Sequence, residues 1–133
     1  MKKIKTSFDR NLFINYFLRI IMVSGICVIL LSLISSFAVY KLDADIVYLQ
    51  YISIITALIT ASITSYISVK PFKNNGFVLG IISSVPLIIY SLINLIVNHS
   101  NVLIFIVKIF LVIISGGLFG LLSVKNNKKI RIK

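Results

Sequence analysis

The chain has 133 residues, 59% of them hydrophobic and 13% charged, with 14 Lys+Arg against 3 Asp+Glu and a formal net charge of +11. Soluble domains run about 45–50% apolar and about 25% charged, and a particle of this size needs more polar surface than these residues supply. The composition excludes a water-soluble enzyme. It points to a basic integral membrane protein, all-α because backbone polar groups in lipid must pair within the segment.

Residues 1–19 form a basic, partly amphipathic segment carrying Lys2, Lys3, Lys5, Arg10 and Arg19. Phe8, Leu12, Phe13, Tyr16 and Phe17 recur there at roughly helical spacing among Asp9, Asn11 and Asn15. Two readings fit: a helix lying in the interface before turning into the first span, or the fringe of a long, tilted first helix. The lysines favour anionic lipid, each basic residue near the surface adding about 1 kcal/mol. The basic start, with Ser36-Phe37-Ala38 downstream, also has the outline of a signal peptide, but its apolar run exceeds the usual length of about 7–15 residues.

Residues 20–124 hold four apolar runs, 20–40, 47–69, 76–97 and 102–124. Each matches the ~20 residues that cross a hydrocarbon core of about 30 Å at about 1.5 Å per residue. The connections, 41–46, 70–75 and 98–101, are short, so successive helices are antiparallel and the expected fold is a four-helix bundle. A basic tail, 125–133, follows. Twelve of the fourteen basic residues lie in the N-terminal segment, the turn with Lys70 and Lys73, and the tail; only Lys41 and Lys108 do not. Positive-inside bias puts both termini in the cytoplasm of a cell-membrane protein. Tyr40, Tyr48 and Tyr51 mark the opposite boundary as an aromatic belt. The charge excess is thereby an address, and no nucleic-acid partner is expected.

Span two carries the clearest pattern. Ser53, Ala57, Ala61 and Ser65 form one row at four-residue spacing, and Thr56, Thr60, Thr64 and Ser68 the adjacent row. Span four ends similarly with Ser115, Gly116, Gly117 and Gly120, a G-x-x-x-G pair within it. Small residues let helix backbones approach closely in lipid. The stripe is either a packing face within one subunit or the border of a polar pathway or homo-oligomer seam. At an offset of 55 positions Ser68-Val69-Lys70 returns as Ser123-Val124-Lys125, Gly25-Ile26 as Gly80-Ile81, and Thr60-Ala61 faces Ser115-Gly116. That suggests two tandem helical hairpins related by an axis along the membrane normal.

Residues for chemistry are sparse. The acids are Asp9, Asp43 and Asp45, none within a span, which argues against a proton-coupled exchanger built on an intramembrane carboxylate. His99 has no companion ligands, Cys27 reads as a small packing residue, and no nucleotide, nucleophile-elbow or zinc motif is present. No catalytic, cofactor-binding or metal residue is expected, and the chain does not read as an enzyme. Lys108 is the one ionisable residue well inside a span, about 9 Å along the helix from its end. It either snorkels to the interface, pairs with Asp43 or Asp45, or contacts a substrate anion. Pro86, in the middle of span three, cannot donate to the Ile82 carbonyl, so a kink is expected there.

Span two, the run Lys70-Pro71-Phe72-Lys73-Asn74-Asn75-Gly76-Phe77-Val78-Leu79-Gly80 and the terminal Gly116-Gly117-Leu118-Phe119-Gly120 together resemble an uncharacterised family of small four-span membrane proteins of Gram-positive bacteria. In that family a small-residue second span leads into a basic turn, a glycine-aromatic start to span three and a final Gly-Gly-x-x-Gly. This chain departs from it where Thr60, Ala61 and Ser62 replace a Gly-Gly pair. The resemblance implies the fold and a membrane location. Members are often encoded near an accessory subunit of the protein-export translocase, which implies a link to export. The functional expectation is a non-enzymatic structural or accessory subunit working through helix contacts, within a homo-oligomer or larger membrane complex. The rival is a small oligomeric transporter, flippase-like protein or channel, in which the polar stripe of span two, Pro86 and Lys108 would line the path.

Overall fold

The computed structural model describes residues 10–43, 45–72, 75–99 and 101–131. Lys2, Lys3, Lys5, Phe8, Asp9, Lys73 and Lys133 therefore lie outside the described residues. Five helical segments make four spans: α1 (Arg10–Leu42), α2 (Ile46–Val69), α3 (Gly76–Ser83) and α4 (Val85–Asn98), which together form the third span, and α5 (Val102–Arg131). The protein is an all-α, multi-pass four-helix bundle, each span long and apolar enough to cross a membrane. Its outer surface is lined with side chains such as Leu33, Ile34, Phe37, Leu103 and Phe110, as hydrocarbon surroundings permit.

The turns follow local chemistry. Asp43, Asn75 and His99 each adopt a left-handed backbone, with φ of 44°, 59° and 45°; Asp, Asn and His are the non-glycine residues most enriched there. Pro71 closes α2 because it offers no N–H to continue the helix, although Lys70 before it keeps helical geometry, with φ of −48° and ψ of −38°. From Arg10 onward the N-terminal segment continues into the first span without a break: α1 is one helix of 33 residues, about 50 Å long. α5 likewise runs past Val124 as far as Arg131, and Ser123 and Asn126 fasten that end to Tyr66 of α2.

Around the bundle α1 neighbours α2, α2 neighbours α5, α5 neighbours the third span, and α4 returns to α1 with slight contact. We call the end bearing both termini and the 70–75 turn the terminal face, and the opposite end the loop face. Near the terminal face Tyr16, Ile20, Val69, Leu79 and Val124 form a buried cluster, with Phe72 and Ile82 packed on it. The Tyr16 hydroxyl donates to the Leu79 carbonyl at 2.6 Å, and its ring meets Phe72 edge-on with centroids 4.9 Å apart. Tyr16→Phe keeps the ring and loses the bond; a fall in unfolding free energy of about 1 kcal/mol is expected, read by denaturation of the detergent-solubilised protein. An unchanged midpoint would show that the bond contributes nothing net.

The third span breaks at Ser84, between α3 and α4. Pro86 supplies no N–H to Ile82, as the sequence requires. The serine hydroxyls turn elsewhere: Ser83 donates to the Gly80 carbonyl at 2.7 Å, and Ser84 to Gly80 at 3.2 Å and Val112 at 3.5 Å. Below the break α3 is pressed along α5, and above it α4 touches α5 far less. The bundle is closed at the terminal face and opens towards the loop face.

Candidate functional site

The closed half is built on glycine. Gly76 and Gly80 of α3 lie antiparallel against Gly120 and Gly116 of α5. A Cβ on Gly80 would overlap the Gly116 carbonyl oxygen and stand 2.9 Å from Ser65 Oγ; one on Gly120 would overlap the Gly76 carbonyl oxygen and stand 2.8 Å from Gly80 Cα. Ser65 of α2 completes the junction by donating to the Gly116 carbonyl at 2.5 Å. Gly117 is turned away from this seam, and a Cβ there would meet only the Phe77 ring. Thr64, Ser65 and Ser68 are fully buried in the same half, the hydroxyls of Thr64 and Ser68 without partners among the described residues. Towards the middle Ala61, Leu87 and Val112 form a dry layer, with Val28, Ala57 and Ile88 against it.

Above that layer the helices separate. A cavity of about 530 Å³ lies among α1, α2 and α4, with Lys108 of α5 in its wall. A second, of about 670 Å³, continues towards the loop face between α2, α4 and α5. They share Leu49, Ser53, Ser91, Asn94 and Lys108. The span-two stripe is thus divided: Ser53, Ala57 and Thr60 border the first cavity, whereas Ala61, Thr64 and Ser65 belong to the closed layers.

The Lys108 ammonium donates to Ser53 Oγ at 2.7 Å, a hydroxyl inside the bundle, and among the described residues it pairs with neither Asp43 nor Asp45. Asp43 occupies the left-handed turn position. Asp45 is the N-cap residue of α2 and accepts the Tyr48 N–H through its backbone carbonyl at 3.0 Å. Pro86 does not line either cavity; its part is to swing α4 away from α5.

Several residues were not singled out from the sequence. Gly76 and Gly80 stand four apart, the same signal that marked Gly116 and Gly120. Ser91 and Asn94 are three apart on α4, and Ser32, Ser35 and Ser36 form a polar strip on α1. All five border the first cavity. Their spacing was readable, but single serines in a span also arise where the hydroxyl bonds its own helix, as Ser32 does to Ile29 and Ser35 to Ser32.

Contacts between α2 and α5 fall near the 55-position offset: Ser53 with Lys108 at 55, Ser65 with Gly116 at 51 and Tyr66 with Ser123 at 57. The two helices run parallel and meet close to the register of the tandem repeat. The hairpins are unequal in packing, since Gly80 is pinned against α5 while its counterpart Gly25 has nothing within 4 Å.

Comparison with family models, with curated proteins and with solved structures yields no match.

Proposed function

We propose that this chain is a non-enzymatic accessory protein of the cell membrane, both termini cytoplasmic, acting through helix contacts within the bilayer. The observation that carries the reading is the glycine seam. Where α3 and α5 touch backbone to backbone, with Ser65 hydrogen-bonded across to Gly116, no solute path runs between these two helices, which supports a packing role. The distribution of basic residues supports the cytoplasmic assignment and contact with anionic lipid at that face. The short loops leave contacts in the membrane and at the basic ends for a second copy or a larger complex. The resemblance to the four-span family makes the export translocase the first complex to test.

Two experiments test the proposal. Proteoliposomes carrying the purified chain are expected to hold an ion gradient as long as empty vesicles do, and cross-linking before solubilisation to recover a homo-oligomer or a stoichiometric membrane partner. Protein-dependent flux together with a monomeric cross-linking pattern would overturn it. For orientation, Cys27→Ser leaves no cysteine. On that background Lys41→Cys is expected to react with an impermeant thiol reagent from outside, and Asn126→Cys only after permeabilisation.

The loop-face cavity favours the second reading, a small transporter, flippase-like protein or channel. It ends blind at Ala61, Leu87 and Val112, so transport requires the glycine seam to part. A disulfide or bifunctional cross-link joining α3 to α5 would abolish transport on that reading and leave an accessory protein working.

A further inference from the structure

We propose that the cavity around Lys108 is a binding site for a phosphate-type anion, carried on the headgroup of an amphiphile in the loop-face leaflet. The two joined cavities, about 530 Å³ and 670 Å³, each fall in the range of small-molecule sites, roughly 300–1,000 Å³. What distinguishes them is the sign of their chemistry. No carboxylate lines either one, so the Lys108 ammonium has no counter-charge there. An ammonium has three N–H donors, and one is directed to Ser53.

The remaining polar groups at the junction are donors as well. Ser53 Oγ accepts from Lys108, which leaves its own proton to give. Asn94 borders both cavities with an amide that carries two N–H donors. Ser91 is only 7% exposed, borders both cavities, and among the described residues no protein group takes its hydroxyl. Lys108 and three neutral donors, from α2, α4 and α5, therefore line the same two cavities. A cation would find no negative partner, whereas a phosphate ester, with several acceptor oxygens and a charge, satisfies them together. From this centre the wall turns apolar through Val28, Leu31, Ile52 and Leu87. It lies along α1 and α4, neighbours with slight contact, which suits an acyl chain entering from the side.

The site stands whether or not the chain has a membrane partner. The test is native mass spectrometry of the full chain with phosphatidylglycerol, phosphatidylcholine or inorganic phosphate added. One phosphatidylglycerol is expected to be retained per chain, in preference to phosphatidylcholine. Lys108→Met and Ser91→Leu are expected to weaken retention about tenfold, the loss of one charge-assisted contact. Lys128→Gln with Lys129→Gln, in the basic tail, is expected to leave it unchanged. Displacement of the lipid by inorganic phosphate, with the same dependence on Lys108, supports the anion site and assigns it to a soluble ligand. Retention unchanged in Lys108→Met, or lost only in the tail variant, overturns the proposal. Should Ser91→Leu fail to fold, Lys108→Met decides, since it removes a charge from the bundle without adding volume.

Discussion

Gly80→Ala is expected to destabilise the terminal half of the bundle, while Gly25→Ala leaves it intact or firmer. Both sites lie inside helices, and alanine exceeds glycine there by about 1 kcal/mol in intrinsic propensity. Only the surroundings differ. At Gly25 the added methyl meets nothing within 4 Å; at Gly80 it enters the Gly116 carbonyl. That obstacle is backbone, so α3 and α5 must move apart, breaking the Ser65 bond to Gly116 and the packing of Leu79 under Tyr16. Overpacking of this kind costs about 1–3 kcal/mol or more, and with a backbone obstacle the upper part of that range applies. Gly120→Ala should match Gly80→Ala for the same reason. Gly117→Ala should be mild, because the Phe77 ring is partly exposed and can swing away. Denaturation of each variant in one detergent, followed by circular dichroism, checks the order. Equal midpoints for Gly80→Ala and Gly25→Ala would mean that the seam is not the closure described above.

Lys108→Met is expected to raise stability by about 1–2 kcal/mol, and Ser53→Ala to lower it by a similar amount. The ammonium is half-buried without a carboxylate partner, so it incurs part of the several kcal/mol that full burial of an ion costs. The bond to Ser53 returns part of that, about 1.5–3 kcal/mol for a bond to a charged group. Methionine preserves the length of the stem and removes the charge. Truncating Ser53 keeps the charge and removes its partner. The opposite signs separate a tolerated charge from a stabilising one. If Lys108→Met proves the more damaging variant, Lys108 is a net contributor to folding, and its retention needs no ligand to explain it. A gain in stability is instead what a residue kept for binding would show.

Much of the architecture was readable before the structure. Four apolar runs and three short connections define a four-helix membrane bundle, since hydropathy is counted along the chain and lipid permits little else. The small-residue faces on spans two and four were visible for the same reason: a four-residue spacing is a property of one helix alone. Their partners were not. Nothing local pairs Gly116 with Gly80 and not with Gly25, although both glycines hold matching places in the repeat. Pro86 announced a kink, yet its consequence, that α4 leaves α5 and opens a cavity, depends on where α1 and α2 stand.

Lys108 shows the same division most clearly. Its place in a span, about 9 Å from the helix end, raised three readings and no means of choosing among them. The partner the structure supplies is Ser53, a residue 55 positions away, brought close because α2 and α5 run parallel in nearly the repeat register. Composition and periodicity act through transfer free energy, which sums residue by residue along the chain. The closed seam and the basic cavity depend on which backbones can touch, and that is settled by crossing geometry between segments remote in sequence.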